Sequence, residues 1–224
     1  MKQNSIVLLG LIIVSIMAAF GVRNYFFEKS NITNYMELKT LQNERMIVES
    51  YSSEEDFSEE DLRNFIRDES EMAMQREYIF EVIPTGKLYI NNSVIMQEVS
   101  VLNTIKGTCE YEKIWIRSEG CTIARKDENA FGYIGLDYSL MQQENTYLVF
   151  CVPSEINQHS DKKIYNTDDS LWFPYYNITK NSENVMKSRY YDKEIEFYTD
   201  SEVILNSFYQ LKNEIFERLE EIKQ

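Results

Sequence analysis

The chain has 224 residues, 43% hydrophobic and 27% charged, with 23 Lys and Arg against 37 Asp and Glu and a formal net charge of −14. That composition supports one substantial core and excludes a disordered chain, while the anionic balance argues against nucleic acid as a partner, because phosphate backbones repel it. With 3 Cys and 1 His, zinc fingers, iron–sulfur frameworks and disulfide-dense scaffolds are excluded by count.

Residues 5–22 carry no charge, and a helix rising ~1.5 Å per residue over that run approaches the ~30 Å hydrocarbon thickness of a bilayer. Lys2 precedes it, Arg23 closes it, and Tyr25, Phe26 and Phe27 lie where an interfacial aromatic belt sits. A transmembrane anchor over residues 1–23 is expected. The alternative is a signal peptide cleaved after Ala19-Phe20-Gly21, with the protein then secreted; the apolar run exceeds the ~7–15 residues of such peptides. The flanking basic residues are nearly balanced, and the expected orientation leaves the bulk of the chain outside the cell membrane. Residues 1–29 carry +2 through Lys2, Arg23 and Lys29 against Glu28, so the remainder carries −16.

Residues 24–57 are polar, with scattered apolar positions such as Met36, Met46 and Ile47, and read as a juxtamembrane stalk. From Ser58 a domain over 58–224 is expected. Ser58 with Asp61 resembles a capping box, Glu59, Glu60 and Asp61 suit the positive end of a helix, and Leu62, Phe65, Ile66 and Ala73 recur at helical spacing, predicting a helix over about 59–74.

The period then shortens. Tyr78 to Ile83 is an apolar run ended by Pro84-Thr85-Gly86, Leu88-Tyr89-Ile90 follows, and Asn91-Asn92-Ser93 turns into Val94 to Ile105. Further strands are expected at 113–117, 122–124, 147–152 and 194–198. Ser201 then caps a second helix whose apolar stripe is Ile204, Phe208, Leu211, Ile215, Leu219 and Ile222. The expected class is mainly β with helices (α+β), a small OB-like barrel flanked by two amphipathic helices.

The long strand ending Val99-Ser-Val-Leu-Asn-Thr-Ile-Lys106-Gly107, followed by a polar strand and then Gln143-Glu144-Asn145-Thr146-Tyr147-Leu148-Val149-Phe150, resembles small exported domains of Gram-positive bacteria with a netrin-like OB barrel. The likeness covers residues 59–152. It implies an OB-type barrel with a binding or inhibitory role, as in the netrin-like inhibitors of metalloproteases. Those inhibitors rely on a mature N-terminal Cys and several disulfides, which this chain lacks, so protease inhibition does not carry over.

Cys109 and Cys121, twelve positions apart, form a candidate disulfide. A two-residue turn at Glu119-Gly120 would instead place them about 30 Å apart at ~3.3 Å per residue, beyond bridging distance. Cys151 reads as a buried small hydrophobe and His159 as a solvated loop residue. Asp127-Glu-Asn129-Ala-Phe131-Gly132 begins like a calcium loop, but Phe131 and Tyr138 stand where oxygen donors are required, and no metal or cofactor site is expected.

The commonest catalytic signatures are absent, so no enzyme activity is expected. The aromatic segment Leu171-Trp172-Phe173-Pro174-Tyr175-Tyr176 offers Trp172, Phe173, Tyr175 and Tyr176 as candidate contacts for an envelope protein or glycan, set against the alternative that it plugs one end of the barrel as core. The functional expectation is an extracytoplasmic binding module. Its alternatives are a cell-envelope hydrolase using paired carboxylates and an immunity or accessory protein docking through its C-terminal helix.

Overall fold

The computed structural model describes residues 34–37, 46–48, 52–53, 57–91, 94–119, 132–134, 137–155, 163–167, 170–181 and 184–222. Helix α1 (Glu59–Gln75) starts at the expected capping box: the Asp61 N–H donates to Ser58 Oγ at 3.2 Å, and the Ser58 N–H donates back to the Asp61 carboxylate at 3.1 Å. Its inner face buries Leu62, Ile66 and Ala73, and also Glu69 and Ser70.

Strands β3 (Tyr78–Asn91) and β4 (Val94–Lys106) form a long antiparallel hairpin. Pro84-Thr85-Gly86, expected to end a strand, bends one instead. The ladder skips between Pro84 and Leu88, and Gly86 takes φ +87°, a conformation that glycine adopts without strain. The Gln143 side-chain amide donates to the Thr85 carbonyl there at 2.7 Å, and Thr85 Oγ1 lies 3.2 Å from the Glu98 carbonyl, so polar groups at the bend are satisfied outside the ladder.

β4 continues into antiparallel β5 (Lys113–Glu119), which pairs in parallel with β8 (Ile164–Thr167). β8 lies antiparallel to β7 (Tyr147–Pro153), and β7 returns to the first half of β3, Tyr78 facing Cys151 and Val82 facing Tyr147. Five strands thus close a barrel in the order β3-β4-β5-β8-β7. β1 (Asn34–Glu37) takes the second half of the same β3 edge, β9 (Tyr175–Asn177) extends the far edge of β7, and β2 (Met46–Val48) pairs in parallel with β6 (Gly132–Ile134). Tyr147 to Cys151 are all buried, as suits a strand covered on both faces.

Helix α2 (Glu202–Ile222) buries Ile204, Leu205, Phe208, Leu211, Ile215 and Leu219 and packs on α1, where Ser70 Oγ donates to Glu214 at 2.8 Å. The stripe considered for docking on another protein is therefore covered by the chain's own core, with only Ile222 exposed. Ser201 caps α2, its Oγ accepting from the Ile204 N–H at 3.3 Å.

Other expectations shift. Residues 194–198 contribute an isolated bridge between Tyr138 and Phe197 instead of a strand. Met46 and Val48, inside the segment read as a stalk, are core residues, so part of that segment belongs to the folded unit. The anchor at 5–22 and the strand at 122–124 lie outside the described residues, among which no helix is long and apolar enough to cross a membrane.

Candidate functional site

The segment before β9 meets α1 through Phe65 and Glu69 and α2 through Phe208, and its aromatic residues divide sharply by burial. Phe173, Tyr175 and Tyr176 are interior: the Phe173 ring lies 4.6 Å from both Phe197 and Phe208, and the Tyr175 ring lies 4.8 Å edge-on to Tyr138. Tyr175 donates its hydroxyl proton to the Ser139 carbonyl at 3.0 Å. These three rings are core and meet no partner at the surface. Trp172 alone of the four is exposed, at 37%.

Trp172 sits on a fixed mount. Phe57 and Phe65 stand 5.3 and 5.1 Å away, the second edge-on. Its indole N–H donates to Asp137. Its backbone N–H donates to Glu69 Oε1 at 2.6 Å, and the Phe173 N–H reaches the same oxygen at 3.0 Å. A carboxylate inside the fold accepting two main-chain N–H groups is a charge-assisted pair of bonds, stronger than neutral ones. The result is an amphipathic ring whose orientation is set before any partner arrives.

A second place gathers polar groups. A small cleft, about 20 Å³, opens between the 138–147 segment, Tyr175, Asn177 and the 193–196 segment. Its outer wall is positioned by Gln97 of β4, whose amide both donates to the Met141 carbonyl at 2.9 Å and accepts from the Met141 N–H at 3.0 Å. The Tyr147 hydroxyl accepts from the Gln142 N–H at 2.8 Å, and burial pushes its pKa up to about 12. Lys180 and Glu194 pair across the rim at 2.8 Å.

The floor is Glu196, which accepts from the Asn177 N–H at 2.8 Å and pairs with Lys212 of α2 at 2.9 Å. Both charges are out of water. Burial raises the Glu196 carboxyl and lowers the Lys212 ammonium, while each opposes the other's shift through their attraction. The cleft has room for a single water molecule. The carboxylates of Glu69 and Glu196 both accept backbone N–H groups, and Glu196 also pairs with Lys212.

Cys109 Sγ lies 3.6 Å from the Tyr111 carbonyl, and its candidate mate Cys121 is outside the described residues, as are His159 and the calcium-like run 127–131. Cys151 is buried, and desolvation pushes its thiol up, leaving it a poor nucleophile. Among the described residues no group of three or more His, Cys, Asp or Glu side chains is placed to hold a metal ion. No protein-family model matches this chain, and no curated protein matches it.

Proposed function

We propose that the chain is a membrane-anchored interaction module of the Gram-positive cell envelope, with an OB-type barrel outside the membrane that captures a protein partner around Trp172 without catalysis. The observation that carries this reading is the mount of Trp172: an exposed indole oriented by Phe57, Phe65, Asp137 and Glu69. Tryptophan concentrates binding energy at interfaces because it offers a large rigid area at little entropic cost.

The OB-type assignment is supported by the ring order and its one parallel pair, β5 with β8, together with a helix before and a helix after the barrel. The anchor is supported by the uncharged run at 5–22 and its flanks.

The test places a photo-crosslinking residue at position 172 or, as a control, at exposed Leu102 of β4, in cells expressing the full chain. A discrete adduct from 172 and none from 102 is the expected result. No adduct from 172, or the same adducts from both, would remove the Trp172 surface. Loss of a C-terminal tag when wall-stripped cells are treated with protease would support the outward orientation, and a protected tag would reverse it.

A further inference from the structure

We propose that the groove beside Tyr190 binds one neutral pyranose ring, such as the terminal unit of a glycan. The segment from Asn184 to Ile195 encloses about 140 Å³. Its lining includes Tyr190 and Val185 together with the polar residues Asn184, Ser188, Lys187 and Asp192. The site shares no lining residue with the Trp172 mount.

The groove is preformed. Its backbone is tied to β2 through the Val48 N–H to the Arg189 carbonyl at 2.7 Å and the Tyr191 N–H to the Met46 carbonyl at 2.9 Å. At the start of the segment the Met186 N–H reaches the Thr199 carbonyl at 2.8 Å, and at its end the Glu194 N–H reaches Asp192 Oδ1 at 2.9 Å. A polar surface loop tied down at Met186, Arg189 and Tyr191 loses little entropy when a ligand enters.

Size and chemistry narrow the occupant. The volume is well under the ~300–1,000 Å³ of sites for drug-sized ligands, so a single ring fits and a larger molecule does not. Lys187 and Asp192 offset one another and Glu194 is paired with Lys180, so the groove itself offers an anion no surplus positive charge, and the chain's −14 overall disfavours phosphate-bearing and uronic ligands. A pyranose has an apolar face of C–H groups for the Tyr190 ring, which is 39% exposed. Its rim of hydroxyls both donates and accepts, matching an amide, a hydroxyl, a carboxylate and an ammonium.

The experiment is saturation-transfer NMR on the full chain, in a detergent without a sugar headgroup, with methyl β-glucopyranoside and N-acetylglucosamine as probes. Transfer to the ring protons of at least one probe is expected, with loss of transfer in Tyr190→Ala and in Asn184→Ala and retention in Tyr190→Trp. Trp172→Ala leaves it unchanged, which separates this groove from the protein-capture surface. Glucuronate gives weaker transfer than either neutral probe. Absence of transfer from both neutral sugars, or equal transfer in the wild type and both alanine variants, would overturn the proposal.

Discussion

Glu69 of α1 holds Trp172 by its main chain, one carboxylate oxygen accepting the Trp172 N–H at 2.6 Å and the Phe173 N–H at 3.0 Å. An acid on one helix thereby fixes an aromatic segment more than a hundred residues later in the chain. Removing it leaves two amide donors without their acceptor.

Glu69→Ala is expected to cost about 3 kcal/mol, since each lost bond to a charged acceptor is worth roughly 1.5–3 kcal/mol. In a Trp115→Phe background, which leaves Trp172 as the sole indole, its emission should shift to the red as the mount loosens. Unchanged denaturation midpoint and unchanged emission would show that Glu69 does not position the ring.

The ion pair between Glu196 and Lys212 predicts a cycle. Lys212→Met strands the buried Glu196 carboxylate and should cost about 3–5 kcal/mol at neutral pH, whereas adding Glu196→Gln should recover most of that loss. The pH dependence has a definite sign. Burial raises Glu196 above its ordinary 4.5, so the folded state holds the proton to higher pH than the unfolded chain does. Its contribution is therefore fully present below 4.5 and declines as pH rises through the folded value. Denaturation of the wild type and the double variant from acid to neutral pH checks this: the wild type should lose ground to the double variant as pH increases.

Tyr147 makes the alkaline counterpart. Its pKa of about 12 against an ordinary 10 means that stability is intact below 10 and falls between the two values, because only the unfolded chain ionises there. Two units correspond to about 3 kcal/mol. Tyrosinate absorbance against pH should lose one late-titrating phenol in Tyr147→Phe, while Tyr165, Tyr175 and Tyr176, also pushed up by burial, still titrate late; an undiminished late step in the variant would contradict the burial described.

At the end of β4, Gly107 has φ +83°, and a Cβ there would lie 2.5 Å from the Tyr78 ring and 2.9 Å from the Glu77 carbonyl oxygen. Gly107→Ala should therefore destabilise by at least the ~1–2 kcal/mol of a left-handed residue, whereas Thr104→Ala nearby on β4 should be mild. Comparable midpoints for the two variants would remove the steric argument.

Much of the frame was legible. The capping box at Ser58 and the 3.6-residue stripes placed both helices because their cores face one way. The missed parts have physical reasons. β8 is four residues long and owes its place to closure against β5, which no local pattern encodes. The expected strand at 194–198 alternates because Ile195 and Phe197 face the core while Glu194 is exposed, but it lacks a neighbouring strand beyond one bridge.

For the site, the sequence offered Trp172, Phe173, Tyr175 and Tyr176 alike, because period alone could not tell the exposed Trp172 from the three rings that lie inward. Glu69 and Lys212 carried an unused signal: each is a charged residue on the buried stripe of its helix, Glu69 between Ile66 and Ala73, Lys212 one turn after Phe208. A charge in that register needs a partner inside the fold.

The parallel seam between β5 and β8 closes the barrel with three residue pairs, from Trp115 with Ile164 to Arg117 with Asn166. Hairpins form from neighbouring segments, but this seam waits for a distant stretch of chain, and its loop-closure cost falls late in folding. Until it zips, β5 has one unpaired edge, open to any passing strand. The nascent protein is thus most prone to aggregate in the interval before residues 164–167 arrive, and a chaperone acting on it would do most by covering that edge.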